Sequence, residues 1–89
     1  MGLAFHTPAL DGLARIEPAK VRKQVLKKAK ALQLDPFPHG SKKLVGVTTK
    51  DGDPIYRERS GDYRILYTVK KNPAEVVILD IGNRKDIYE

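Results

Sequence analysis

The chain has 89 residues, no cysteine, and a formal charge of +6 from 17 Lys and Arg against 11 Asp and Glu. That length supports one domain with a simple core of one sheet and one helical layer, because a domain this small buries only roughly 60% of the surface its unfolded chain exposes. Without cysteine, disulfide staples and thiolate metal sites are excluded. The excess positive charge points to a polyanionic partner, nucleic acid first and an acidic protein second, against the plain alternative of a solvated basic surface.

Met1 to Phe5 is too short an apolar segment to be a signal peptide ahead of His6-Thr7-Pro8. The longest aliphatic run, Val76 to Leu79, has the length of a strand and cannot span a bilayer. A soluble cytoplasmic protein without a membrane partner is therefore expected. Gly2 to His6 predicts a short strand. Thr7-Pro8 predicts a helix start, with Thr7 as N-cap, Pro8 at the first helical position and Asp11 in the first turn, where the macrodipole favours a carboxylate. This helix runs to about Arg15, and Ile16-Glu17-Pro18 breaks it because a residue before proline avoids the helical region.

Pro18 opens a second helix that extends to about Leu34. Val21, Val25, Ala29 and Leu32 recur along one helical face. Lys20, Arg22, Lys23, Lys27, Lys28 and Lys30 cover most of the rest, uninterrupted by any acid. Such a face is either simply solvated or touches RNA phosphates or an acidic partner. Lys27 and Lys28 are its candidates for RNA contact. Asp35 to Gly40 forms a rigid loop with two prolines. Strands follow from Lys43 to Val47, Ile55 to Arg59, Tyr63 to Lys70 and Glu75 to Ile81, and Gly82 to Glu89 reads as a tail. The fold class is α+β, a single domain over residues 1–89 in the order β-α-α-β-β-β, with the Ile55 strand following closely on the Lys43 one. Sequential hairpins imply a twisted antiparallel meander, with the two N-terminal helices packed on one face.

The densest chemical signal lies in the hairpin Tyr56 to Tyr67. If Gly61-Asp62 is a two-residue loop, Gly61 supplies the positive φ of a type II′ turn. Ser60 then pairs with Tyr63, Arg59 with Arg64 and Arg57 with Leu66, so three guanidiniums project from one face. A three-residue loop would instead put Arg59 opposite Tyr63 and scatter them. Like charges directly opposite each other destabilise a sheet, and a sequence that accepts them has an anion to bind. Tyr63, Ile65, Tyr67 and Val69 form the apolar side toward the helices. Glu58 falls on that side too, at its margin, within reach of a helix lysine.

Other chemistries lack their residues. His6 and His39 are not at metal-ligand spacing, Gly40-Ser41-Lys42 lacks the rest of a P-loop, and no Ser-His-Asp set can be argued, so neither metal nor cofactor is expected. What remains is Arg57, Arg59 and Arg64 on the hairpin, Arg84 after the last strand, Tyr88 near the end, and Lys42 and Lys43 entering a neighbouring strand. Guanidinium is a permanently charged planar fork that suits phosphate oxygens. RNA brings its own nucleophile, the 2′-hydroxyl, so a basic pocket and one tyrosine could suffice for cleavage.

Lys43-Leu44-x-Gly46, then Tyr56-Arg57-x-Arg59-x-Gly61-Asp62-Tyr63-Arg64-Ile65-Leu66-Tyr67, then Val76 through Gly82-Asn83-Arg84 to Tyr88 together resemble the RelE toxins of the RelE/ParE superfamily. The resemblance implies the toxin of a type II toxin–antitoxin pair, a ribosome-dependent endoribonuclease that cuts translated mRNA without a metal. It further implies a small antitoxin and the mRNA-loaded ribosome as partners, with the free toxin a monomer. By position, Arg64 resembles the arginine that holds the scissile phosphate and Arg84 the one that stabilises transition-state charge. Tyr88 resembles the C-terminal tyrosine on the nucleotide, and Arg57 a catalytic basic residue. Arg59 and Lys43, like Lys27 and Lys28, are expected to contact RNA. Where RelE can carry two lysines this chain has Ile55, Arg57 and Arg59. Arginine rarely gives up its proton, so the resemblance supplies no general base beyond Lys43, a weak one. The alternatives are a ParE-like inhibitor of DNA gyrase and an inactive paralogue that only binds an antitoxin.

Overall fold

The computed structural model describes residues 1–83. In chain order they form β1 (Gly2–Phe5), α1 (Thr7–Ala14), α2 (Ala19–Ala31), β2 (Lys42–Thr48), β3 (Pro54–Ser60), β4 (Tyr63–Lys70) and β5 (Glu75–Asn83). The strands make one sheet in the order β1-β5-β4-β3-β2. The last four are an antiparallel meander, as the hairpin reading requires. The sheet as a whole is mixed, because β1 joins the β5 edge in parallel, with Leu3 opposite Val76 and Phe5 opposite Ile78. From β1 the chain crosses through the two helices to β2 at the opposite edge of the sheet.

Helix starts differ from expectation by one residue. His6, not Thr7, is the N-cap of α1. Its carbonyl accepts the Ala9 and Leu10 amides, and Asp11 lies beyond the first turn. Pro18 caps α2, whose regular part ends at Ala31; three further residues continue as tight turns, the Leu32 amide donating to the Ala29 carbonyl. The core lies between helices and sheet. Ala9, Ile16, Val25, Ala29 and Leu32 meet Ile65, Tyr67, Val76, Ile78 and Ile81, all buried. Tyr63 and Val69 pack against them at the margin, so the apolar side of β4 faces the helices.

Two local features shape the sheet. Gly61 sits at φ +60°, and the hairpin pairs Ser60 with Tyr63, Arg59 with Arg64 and Arg57 with Leu66. The two-residue loop is thus the one formed. In β5 the register slips: Leu66 faces Asp80 but Tyr67 faces Ile78, so Leu79 is an extra residue without a β4 partner. This bulge lets Val76 and Ile78 before it and Ile81 after it all point into the core. It also carries the strand through Gly82 and Asn83, which read as tail in the sequence.

Candidate nucleic-acid interface

Side chains alternate across a sheet, so the register sorts them into two faces. Toward the helices lie the rows Lys43–Tyr56–Tyr67–Ile78 and Glu58–Ile65–Ile81. On the opposite face lie Lys42–Arg57–Leu66–Asp80 and, one row nearer the hairpin turn, Arg59–Arg64–Gly82. The structure therefore brings Arg57, Arg59 and Arg64 onto one face. It places Lys42 there rather than Lys43, because Lys43 shares the row of Tyr56 and emerges on the helix side of the edge strand. Lys27 and Lys28 project from α2 and belong to the helix side as well. Arg84 and Tyr88 lie outside the described residues. The last described residue, Asn83, lies opposite Tyr63 and one residue past the partner of Arg64.

The arginines are not equally solvated. Arg57 and Arg64 are each only 6% exposed, whereas Arg59 is exposed. Guanidinium groups removed from water need compensation, and both arginines have interaction partners within the protein. Burial, reinforced by the positive field of Arg59, holds Arg57 below the usual arginine pKa, while the Glu58 carboxylate acts in the opposite direction. The arginine pair directly across the hairpin adds repulsion of its own.

Glu58 and Lys28 hold the outer edge of this hairpin. β2 begins at Lys42, opposite Arg57, so the end of β3 extends past its neighbour. There the Arg59 amide donates to Glu58 Oε1 at 2.9 Å, and Lys28 Nζ donates to the Arg59 carbonyl at 3.1 Å. Glu58 is almost fully buried at the base of a groove of about 340 Å³ that Lys27 and Lys28 also line. An edge strand otherwise offers such backbone groups to another chain. The sequence reading puts Glu58 at the margin, paired with a helix lysine; it is buried instead, and both it and Lys28 bond to the Arg59 backbone.

Behind the arginine face, Tyr67 anchors the loop after α2. Its hydroxyl donates to the Pro36 carbonyl at 2.6 Å, and burial pushes the phenol pKa up to about 12, against a smaller lowering by Ser41. Its ring packs 5.7 Å from Tyr56, which Phe37 meets edge-on at 4.9 Å. Along β5, the edge left uncovered by short β1 is taken by α1. A Cβ on Gly12 would fall 1.8 Å from the Ile81 carbonyl oxygen, so only glycine permits that approach. Beside this contact a cavity of about 710 Å³ is lined by Asp11, Arg15, Tyr63, Asp80 and Asn83 among others.

Sequence reasoning missed Asp80 on the arginine face and chose Lys43 over Lys42. Lys42 adjoined the chosen lysine, and only the pairing of β2 with β3 separates them. Asp80 carried no signal, because strict alternation from Val76 and Ile78 would have turned it toward the helices.

The family model described as the ParE toxin of the type II toxin–antitoxin system parDE matches residues 3–88. No curated protein sequence matches significantly. Among solved structures, the chain is similar to the archaeal RelE–RelB complex from Pyrococcus horikoshii, with 27% identity, 97% of each chain covered and a TM-score of 0.74. It is similar to the toxin–antitoxin complex RelBE2 from Mycobacterium tuberculosis, with 26% identity, 93% of this chain and 96% of that one covered, and a TM-score of 0.72. The intact RelBE complex of Escherichia coli matches with 26% identity, coverage of 92% and 94%, and a TM-score of 0.70.

Proposed function

The chain belongs to the RelE/ParE superfamily of type II toxins, and from that premise we propose that it is a ribosome-dependent mRNA endoribonuclease held in check by a RelB-like antitoxin. The observation that carries this reading is the face of three arginines, two of them buried, beside the last described residues of β5. The RelE toxins of similar structure are described in complex with RelB antitoxins, which supports the same kind of partner here.

In this reading the message lies across the arginine face. Arg64 and Arg57 bind the non-bridging oxygens of the scissile phosphate. Arg84 meets the charge that develops on the pentacoordinate phosphorus, and Tyr88 stacks on the adjoining base. Because Arg57 and Arg64 are desolvated before RNA arrives, their field is strong where charge accumulates. The 2′-hydroxyl attacks phosphorus, the bond to the 5′-oxygen breaks, and the products carry a 2′,3′-cyclic phosphate and a 5′-hydroxyl. Arg59, Lys42, Lys43, Lys27 and Lys28 bind backbone phosphates of the message or ribosomal RNA. The free toxin acts as a cytoplasmic monomer without metal or cofactor.

The test is to map transcript ends after induced expression. Cuts within codons of translated messages, ending in cyclic phosphate, are expected. Arg64→Ala, Arg84→Ala and Tyr88→Phe should each lower cleavage by roughly 10²–10⁴-fold while the protein stays folded. Intact messages together with induced DNA damage would overturn the reading in favour of gyrase inhibition.

A further inference from the structure

Phosphodiester cleavage by the 2′-hydroxyl needs a proton acceptor, and the three arginines of this face cannot serve. Of the carboxylates on the described strands, Glu58 points to the helices and is engaged with the Arg59 amide. Glu75 shares the arginine face but lies opposite Lys70, at the far end of β4 from Arg64 and roughly 20 Å away at about 3.3 Å per residue. Asp80 differs from both. It stands in the row of Arg57 and Leu66, two residues along β5 from Gly82, the partner of Arg64. Diagonal neighbours of this kind lie about 7–8 Å apart at the backbone, within reach of a phosphate and its sugar held between them.

The bulge is what puts it there. Val76 and Ile78 face the core, so an unbroken strand would bury Asp80 with them and expose Ile81. The extra Leu79 reverses this, burying Ile81 and turning Asp80, half-exposed, toward the arginines. Bulges recur beside active sites because they re-aim one side chain in this way.

We propose that Asp80 is the general base of the cleavage reaction, an assignment that rests on the ribonuclease reading above. Its carboxylate takes the proton of the 2′-hydroxyl as the 2′-oxygen forms its bond to phosphorus. The 5′-oxygen leaves with its bonding pair and takes a proton from water, and Asp80 then returns its own proton to solvent. The charged groups near Asp80 on its own face are Arg64 on β4, Arg57 and Arg59 on β3 and Lys42 on β2, and Asp11 and Arg15 of α1 line with it the cavity along the edge of β5.

The experiment is single-turnover cleavage of messages on programmed ribosomes with wild type, Asp80→Asn and Asp80→Glu. The amide keeps size and hydrogen bonding but accepts no proton. Asp80→Asn should cut roughly 10²–10⁴-fold more slowly while binding a 2′-deoxy message within about threefold of wild type. Asp80→Glu, which restores a carboxylate, should recover part of the rate. An Asp80→Asn protein that cuts within about threefold of wild type overturns the assignment while leaving the ribonuclease reading intact. A wild-type protein that cuts nothing overturns both.

Discussion

At the scale of single residues, burial sets the chemistry. Burial, helped by the fields of Glu58 and Asp35, pushes the Tyr67 phenol up to about 12. An ordinary tyrosine, as in the unfolded chain, titrates near 10. Its contribution is complete below pH 10 and is lost as pH rises from about 10 through 12, since the unfolded state releases the proton first. Roughly 2–3 kcal/mol should disappear over that window, read as a falling Tm. Tyr67→Phe should remove the pH dependence and cost about 1–2 kcal/mol near neutrality through the lone Pro36 carbonyl. Gly12 is decided by sterics instead. Gly12→Ala drives a methyl into the Ile81 backbone, and a loss of about 1–3 kcal/mol is expected. At roughly 4–8 °C per kcal/mol for a domain of this size, calorimetry resolves it easily.

At the scale of elements, the arginine hairpin depends on its edge. β3 outruns β2, Arg59 faces Arg64, and the strand is held there by Glu58 on one backbone group and Lys28 on the other. Glu58→Leu suits the apolar groove around it but cannot accept the amide. Hydrogen exchange at the Arg59 amide should quicken about tenfold, and Glu58→Gln, whose carbonyl still accepts, should restore protection. Equal exchange in all three proteins would show that the bond does not hold the strand. The bulge at Leu79 acts on the other flank: one unpaired residue exchanges an aspartate for an isoleucine in the core and gives the arginine face a carboxylate.

At the scale of the whole molecule, the described residues carry basic groups on two opposite surfaces, the guanidinium face of the sheet and the lysines of α2 behind it. An RNA that contacts phosphate through both should bind with a steep salt dependence. Each arginine removed from the sheet face should lower the slope of log K against log salt by about 0.7, the single-strand value, measured with a non-cleavable 2′-deoxy message. An unchanged slope on removing Arg59 would place the strand elsewhere. Among the described residues no helix is long and apolar enough to cross a membrane.

Local signals sufficed for much of this. The paired strands around Gly61-Asp62, the apolar alternation of β4 and the proline-marked helix starts fixed the elements, and with them the shared face of Arg57, Arg59 and Arg64. Those rules act over two to four residues, which is the distance a linear pattern can carry. Tertiary structure decided the rest: the parallel seat of β1, the choice of Lys42 over Lys43, the clasp on Arg59 and the turning of Asp80. Each depends on which residue of a distant strand or helix comes to lie opposite. Register between separate strands is set by closing the core around side chains far apart in sequence.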